Sequence, residues 1–278
     1  MTEKIIAIGA LGGSGTRAVA AIFINLGFYM GDDLNNSNDN LLFTRMFKNP
    51  DWYRNSLNTQ KRLRLQIFEK YMAGRSLDPY EFDELYYAVK TNLTHVTNLS
   101  SFKKWIESLY STREKKNVWG WKEPNTQIFI LEILEYFSKL KYIHVLRHGL
   151  DMAFSNNTQQ LKNWGWKFGI VLNGNETESE LAVKQLDYWI ESTKFILKNK
   201  TIHDDRILIL NHSNFCTNQK TEIDKILDFC DLKPNIEILN NLYKIPKNTG
   251  SNNRYKNHKL NIFSAKQLEF VKGCGFEI

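Results

Sequence analysis

Near its N-terminus the chain reads Ile5-Ile6-Ala7-Ile8-Gly9-Ala10-Leu11-Gly12-Gly13-Ser14-Gly15-Thr16-Arg17. The apolar, β-branched run 5–8 predicts a buried strand, the glycine-rich segment a tight turn, and residues 18–26 an amphipathic helix. This order of elements forms an anion pocket, because backbone N–H groups converge there at the positive end of the helix dipole. Arg17 agrees with this, since a cation in the first turn of a helix is unfavourable unless an anion lies beside it. The segment therefore predicts a phosphate-binding loop.

The identity of the phosphate ligand is narrowed by what this loop lacks. A Walker A loop requires a lysine directly after its last glycine, and none is present here. A dinucleotide-binding fingerprint requires a third glycine where the chain has Ala18. The remaining feature is the core Ser14-Gly15-Thr16. An ordinary strand–helix turn is the plain alternative, because glycine and serine are common in turns.

A second segment predicts another anion contact. Residues 141–146 have the apolar, β-branched composition of a buried strand, and Arg147 follows directly. Asp151 is suited to begin a helix, which would place Ser155 one turn along it. Open α/β sheets bind ligands at the carboxyl ends of their strands. We therefore expect Arg147 and Ser155 to hold one anion, the alternative for Arg147 being a surface salt bridge.

A third segment, between the other two, reads Val118-Trp119-Gly120-Trp121-Lys122-Glu123-Pro124. It predicts a short aromatic strand that ends at Lys122. Pro124 stops this strand ahead of a helix that we expect to begin near Thr126. A lysine at the end of a strand is also common for purely structural reasons.

Together the three segments resemble the PAPS-dependent sulfotransferase family (PAPS is 3′-phosphoadenosine 5′-phosphosulfate). Ser14-Gly15-Thr16 is similar to the 5′-phosphosulfate loop of that family, and Arg147, Asp151 and Ser155 are in register with its 3′-phosphate segment. The resemblance implies an α/β fold in which a parallel sheet is flanked by helices, as in the P-loop nucleoside kinases. It also implies a single domain over residues 1–278, with a helical insert at about 42–113 as a region for acceptor binding.

The resemblance further implies which residues hold the cofactor. They are Gly12, Gly13, Ser14, Gly15, Thr16, Arg17, Arg147, Ser155 and, from a late polar loop, Arg254. Most members of the family have a basic residue where this chain has Gly13. We interpret Arg17 as the cation that takes over its charge.

Catalytic roles follow from the same comparison of motifs. Lys122 is predicted to stabilise the transferring sulfuryl group, together with Arg17. Cytosolic small-molecule sulfotransferases have a histidine base where this chain has Pro124, so Glu123 becomes the predicted base. We expect the neighbouring Lys122 to lower the pKa of Glu123. The remaining candidates for the base are His95, Asp32 and Asp39.

The function implied by the resemblance is transfer of a sulfuryl group from PAPS to a hydroxyl or amine, with PAP as the product. The acceptor would be a small molecule or a carbohydrate, and the in-line displacement would need no metal. Two alternatives come from other classes. One is a P-loop-type kinase that uses ATP, and the other is a non-catalytic protein of this fold that binds PAP or another nucleotide.

Composition bounds the class of protein. The 278 residues carry a formal net charge of +7, which suits a polyanionic ligand. The lysines are spread along the chain and no nucleic-acid-binding motif is present, so we expect no nucleic-acid partner. Three cysteines without metal-ligand spacing predict reduced thiols and no metal site. The first predicted strand begins too near Met1 for a secretory leader, and no apolar run is long enough to span a membrane. We therefore expect a cytoplasmic enzyme.

Overall fold

In this computed structural model, which describes residues 3–92, 114–247 and 252–278, the centre is a four-stranded parallel sheet. Its strands are β1 (Lys4–Ala10), β2 (Val118–Lys122), β3 (Lys141–Leu146) and β4 (Ile207–Asn211). Their order in the sheet is β2-β1-β3-β4, and Ile8 of β1 is in register with Lys122 on one side and Ile143 on the other. The carboxyl ends of all four strands therefore meet at one edge.

Helices lie on both faces of this sheet. The described residues contain α1 (Thr16–Asn25), α2 (Leu41–Phe47), α3 (Pro50–Asn55), α4 (Asn58–Met72), α5 (Pro79–Thr91), α6 (Ile130–Tyr136), α7 (Gly149–Ala153), α8 (Gln159–Trp164), α9 (Glu178–Ile202), α10 (His212–Thr217), α11 (Gln219–Phe229), α12 (Ile236–Leu242) and α13 (Ala265–Gly273). The alternation of strands and helices confirms the predicted α/β class.

The side chains of β1 alternate between two hydrophobic cores. Ile6 and Ile8 pack on the face covered by α1, α10, α11 and α12, whereas Ile5 and Ala7 pack on the opposite face with α2, α4 and α9. Strands that are buried on both faces need apolar residues at every position. This is why the run 5–8 is apolar throughout rather than alternating.

The helices α2–α5 dock on the edge strand β2 through aromatic contacts. Trp121 stacks on Phe43 of α2 with ring centroids 5.6 Å apart, and Phe68 of α4 meets the same ring edge-on at 5.1 Å. These four helices lie within or next to the region predicted as a helical insert at about 42–113, of which residues 93–113 lie outside the described residues. Across the described ranges no helix combines the length and the apolarity that crossing a bilayer requires.

Candidate active site

A cavity of about 830 Å³ opens at the carboxyl edge of the sheet. One side of it is formed by the glycine loop after β1 and the end of β2. The other walls come from α10 and from residues 37–39, Lys48, Arg147, Asn157, Gln159, Gln160 and 245–247. All three segments that the sequence singled out therefore contribute to one cavity, as the parallel topology requires.

The glycine loop turns the chain from β1 into α1. Gly13 and Gly15 have φ values of +89° and +84°, a conformation that residues with a side chain rarely adopt. Gly15 is the N-cap of α1, and this end of the helix has neither a capping side chain nor an acidic residue in its first turn. The first N–H groups of a helix have no partner within the helix. The loop therefore presents unpaired donors and the exposed Arg17 to an anion.

The Ser14 side chain points away from the cavity, although its motif suggests a contact with the ligand. Its side chain is buried, and its hydroxyl faces Met152 Sδ at 4.0 Å rather than the cavity. Its backbone N–H donates to Leu11 O at 3.2 Å, which closes the turn. In this structure Ser14 shapes the loop.

Two glycines allow other segments to lie directly against the loop. A side chain at Gly15 would overlap the imidazole ring of His212, and one at Gly12 would come within 2.7 Å of Asn157 Nδ2. His212 follows β4 as Arg147 follows β3, and its position directly after the apolar run 207–210 was the available sequence signal for it. Burial and then the charge of Arg147 lower the pKa of His212 to about 4, so the ring is neutral at pH 7. Its Nδ1 is buried and has no hydrogen-bond partner among the described residues.

We expect Gly15→Ala to destabilise the fold more than a strained φ alone would. Gly174 has nearly the same φ, +86°, but no atom lies within 4 Å of a Cβ built there. Gly174→Ala should therefore cost about 1 kcal/mol from backbone strain. Gly15→Ala should cost about 1–3 kcal/mol more through overlap with His212. Urea unfolding measures both variants, and His212→Ala should recover part of the loss. Equal losses for the two glycine variants would contradict the close packing of His212 on the loop.

Arg147 is buried against the glycine loop, so it does not form the surface salt bridge that the sequence left open. Only 5% of the residue is exposed, and its guanidinium donates to Gly13 O at 2.6 Å and to Asn252 Oδ1 at 3.2 Å. Burial, followed by the charge of Arg254, lowers the pKa of Arg147. Arg254, which begins a 3₁₀ turn in the late polar loop, therefore lies close enough to Arg147 for their charges to interact.

The segment after Arg147 corrects one expectation. Helix α7 is capped by His148, whose Nδ1 accepts a hydrogen bond from Leu150 N–H, and not by Asp151. The Asp151 carboxylate instead accepts hydrogen bonds from the backbone of Asn253 and Tyr255, which ties the late loop to α7. Because α7 ends at Ala153, Ser155 lies beyond the helix and faces a second cavity of about 640 Å³. Its role in phosphate binding stays a prediction.

Lys122 ends β2 and is buried in the wall of the first cavity, with only 2% of the residue exposed. Its Nζ donates to Asp39 Oδ1 and forms an ion pair with that carboxylate. Burial is the main cause of its lowered pKa, and the charge of Arg17 contributes in the same direction. Asp39, named from the sequence as a candidate base, thus contacts the predicted catalytic lysine. Sequence alone offered no signal for this pair.

The pKa of Glu123 is shifted in the direction opposite to the one predicted from the sequence. Its carboxylate is buried and accepts hydrogen bonds from Asn125 N–H at 2.5 Å and Asn125 Nδ2 at 2.8 Å. These contacts cap a 3₁₀ turn at Pro124–Phe129, where a helix from Thr126 was expected. Burial raises the pKa of Glu123 to about 7, against the lowering expected from Lys122, because desolvation outweighs the charge of Lys48 and the hydrogen bonds from Asn125.

Of the two other candidate bases, Asp32 is not among the described residues that line the cavity. Asp32 accepts a hydrogen bond from Tyr71 Oη at 3.3 Å, and His95 lies outside the described residues. Within residues 3–92, 114–247 and 252–278, no three His, Cys, Asp or Glu side chains come together as a metal centre would need. The candidate site therefore consists of the glycine loop, Arg147, Lys122 with Asp39, and Glu123.

Comparison with known proteins now identifies the family. The profile described as the sulfotransferase family matches residues 7–235. The chain belongs to the sulfotransferase family. It is a transferase, and its class of reaction is the transfer of a sulfuryl group. A search of curated proteins finds no match for this sulfotransferase.

Solved structures agree on the fold. The sulfotransferase domain of the Synechococcus PCC 7002 olefin synthase matches with a TM-score of 0.53 and 15% identity, over 100% of this chain and 96% of that one. The sulfotransferase domain of the curacin biosynthetic pathway has a TM-score of 0.53 and 12% identity, over 100% and 99%. Sulfotransferase STF9 of Mycobacterium avium has a TM-score of 0.51 and 13% identity, over 100% and 77%. These likenesses confirm the predicted sulfotransferase fold.

Proposed function

We propose that this sulfotransferase uses PAPS as its donor and transfers the sulfuryl group to a hydroxyl or amine of a small-molecule or carbohydrate acceptor. The observation that carries the proposal is the hydrogen bond from Arg147 to Gly13 O at 2.6 Å. It joins the anion-binding elements that follow β1 and β3, and Lys122 of β2 lines the same cavity. A donor with phosphate groups at both ends of one ribose requires two anion sites this close together.

The described residues fit such a donor. An added side chain at Gly12 or Gly15 would meet Asn157 or His212, so these positions suit a loop that binds a ligand through its backbone N–H groups. The loop and the first turn of α1, with Thr16 and Arg17, would hold the 5′-phosphosulfate. Arg147 and Arg254 would hold the 3′-phosphate, since guanidinium groups pair well with phosphate oxygens. When bound, PAPS supplies an activated sulfuryl group whose leaving group is PAP.

The remaining chemistry belongs to side chains of the cavity. Lys122, held by Asp39, would stabilise the negative charge that develops between donor and acceptor. Glu123 would take the proton from the hydroxyl or amine of the acceptor. Its pKa of about 7 is close to the value that favours a base at neutral pH. Asp39 is the alternative base, because it lines the same cavity and is partly exposed. No step of this displacement calls for a metal ion.

A calorimetric titration tests the donor. PAP should bind the purified protein more tightly than AMP, which lacks the 3′-phosphate. Arg147→Ala should weaken PAP binding about 10–100-fold, the value of a hydrogen-bonded charge pair. AMP binding should change much less, since AMP makes no contact that depends on a 3′-phosphate.

Other outcomes of this titration would contradict the proposal. An equal loss for PAP and AMP would show that Arg147 only shapes the loop. Preference for ADP with Mg²⁺ over PAP would support the kinase alternative. Binding of PAP without turnover of PAPS by any acceptor would support a non-catalytic member of the fold.

We also propose a cytoplasmic location. Cys216, Cys230 and Cys274 are the three cysteines of the chain, and all three are free thiols. Free cysteines are typical of proteins in a reducing compartment. We further propose that the protein does not bind nucleic acid.

A further inference from the structure

The cavity has two chemically different ends. Among the described residues that line it, Phe215 is the one Phe, Tyr or Trp side chain, and it lies on α10 beside β4. Ile245 and Pro246 line the same end, where Cys216 Sγ contacts Lys247 O at 3.6 Å. A flat, weakly polar group such as a nucleoside base suits these surroundings.

The opposite end, beside β2, is polar. It is lined by Ser37, Asn38, Asp39, Lys48 and Gln159. Lys48 follows α2 and Gln159 begins α8, and Lys48 Nζ donates to Gln159 Oε1 at 3.1 Å. This hydrogen bond joins two segments that are distant in the sequence across the β2 end.

The polar wall is preformed. Asn35 Oδ1 accepts hydrogen bonds from Ser37 N–H at 2.8 Å and from Asp39 N–H at 2.9 Å. Asn35 Nδ2 in turn donates to Asp39 Oδ2 at 2.8 Å. These contacts hold residues 37–39 in one conformation, so their polar groups face a ligand without a large loss of entropy on binding.

The acceptor belongs at this polar end. Lys122 is the last residue of β2 and Glu123 follows it, so an acceptor beside them lies at the end of the cavity away from β4. An apolar ring placed there would exclude water from the Lys48–Gln159 pair and from the side chain of Asn38 and would offer them no hydrogen bond in return, which is costly. A ligand with several hydroxyl groups would give each of them a donor or an acceptor.

We infer that the acceptor is polyhydroxylated, in the manner of a saccharide, and that Lys48 is a specificity-determining residue for it. This inference rests on the proposed function, because it places the acceptor opposite the nucleotide end. Sites built from hydrogen-bonding groups reject ligands that lack the matching groups far more strongly than apolar pockets reject small differences in size.

The test first titrates the protein with PAP and then measures PAP release from PAPS. The acceptors are cellobiose, maltose, trehalose and N,N′-diacetylchitobiose, with 2-naphthol as the apolar comparison. We expect at least one disaccharide to have a kcat/KM about tenfold or more above that of 2-naphthol. Lys48→Met should raise the KM for that disaccharide about tenfold, because a contact to the bound acceptor is lost. Since the charge of Lys48 also lowers the pKa of Glu123, kcat at neutral pH should fall as well.

The matched control is Lys198→Met. Lys198 is exposed near the end of α9, and the short connection from α9 into β4 places it at the amino edge of the sheet, opposite the cavity. Its kinetics should equal those of the unaltered protein. If PAP binds and 2-naphthol is preferred, or no disaccharide is turned over, the inference on the acceptor is wrong while the donor assignment stands. An unchanged KM in Lys48→Met would remove its assigned role. If PAP fails to bind, the proposed function fails and this inference with it.

Discussion

Lys122→Met should lower kcat about 100–1,000-fold and leave PAP affinity within a factor of about three. Lys122 is the buried cation at the end of β2, and removing one group that stabilises developing charge has effects of this size. In the proposed function the ground-state anion contacts come instead from the glycine loop and Arg147, which the substitution does not touch. Steady-state kinetics with PAPS and a PAP titration measure the two quantities separately.

The Lys198→Met variant again provides the control for loss of a lysine. Because Asp39 loses its partner in Lys122→Met, a thermal unfolding curve should accompany the kinetics. A folded variant that keeps most of its turnover would show that Lys122 is a structural lysine that only pairs with Asp39. A parallel loss of PAP affinity and kcat would place it among the donor-binding residues instead.

Glu123→Gln should lower kcat about 100-fold or more and remove the pH dependence of kcat around neutrality. A base acts in its ionised form, and the pKa of Glu123 is about 7. The unaltered protein should therefore gain activity as the pH rises from 6 to 8. If this rise persists in Glu123→Gln and disappears in Asp39→Asn, then Asp39 is the base. A pH series of kcat for the three proteins distinguishes the two assignments.

Glu123→Gln should lower kcat without lowering the free energy of unfolding. Burial raises the pKa of Glu123 from 4.5 to about 7, so between these pH values the unfolded chain releases a proton that the folded protein keeps. The free energy of unfolding therefore falls as the pH rises through this interval. Glutamine has no such cost, and Glu123→Gln should unfold at pH 8 with at least the free energy of the unaltered protein. Urea unfolding at pH 8 would then separate a catalytic defect from a loss of fold.

Local patterns in the sequence determined the framework of this protein. The run 5–8, the glycines after it and the apolar residues of 18–26 specify strand, loop and helix by short-range preferences alone, and the structure has β1, the loop and α1 there. Arg147 was predictable because it directly follows a buried strand, and a parallel sheet brings such positions to one edge. The motifs around Ser14, Lys122 and Arg147 were enough to indicate the sulfotransferase family.

The tertiary structure alone decided how these residues interact. Asp39 pairs with Lys122 although 83 residues separate them. His212, which follows the edge strand β4, lies against Gly15. Neither contact has a local pattern, because each depends on how distant segments pack. The pKa of Glu123 was predicted in the wrong direction for the same reason. Its neighbour Lys122 is visible in the sequence, but the burial that raises this pKa, and the approach of Lys48 that opposes it, exist only once the chain has folded.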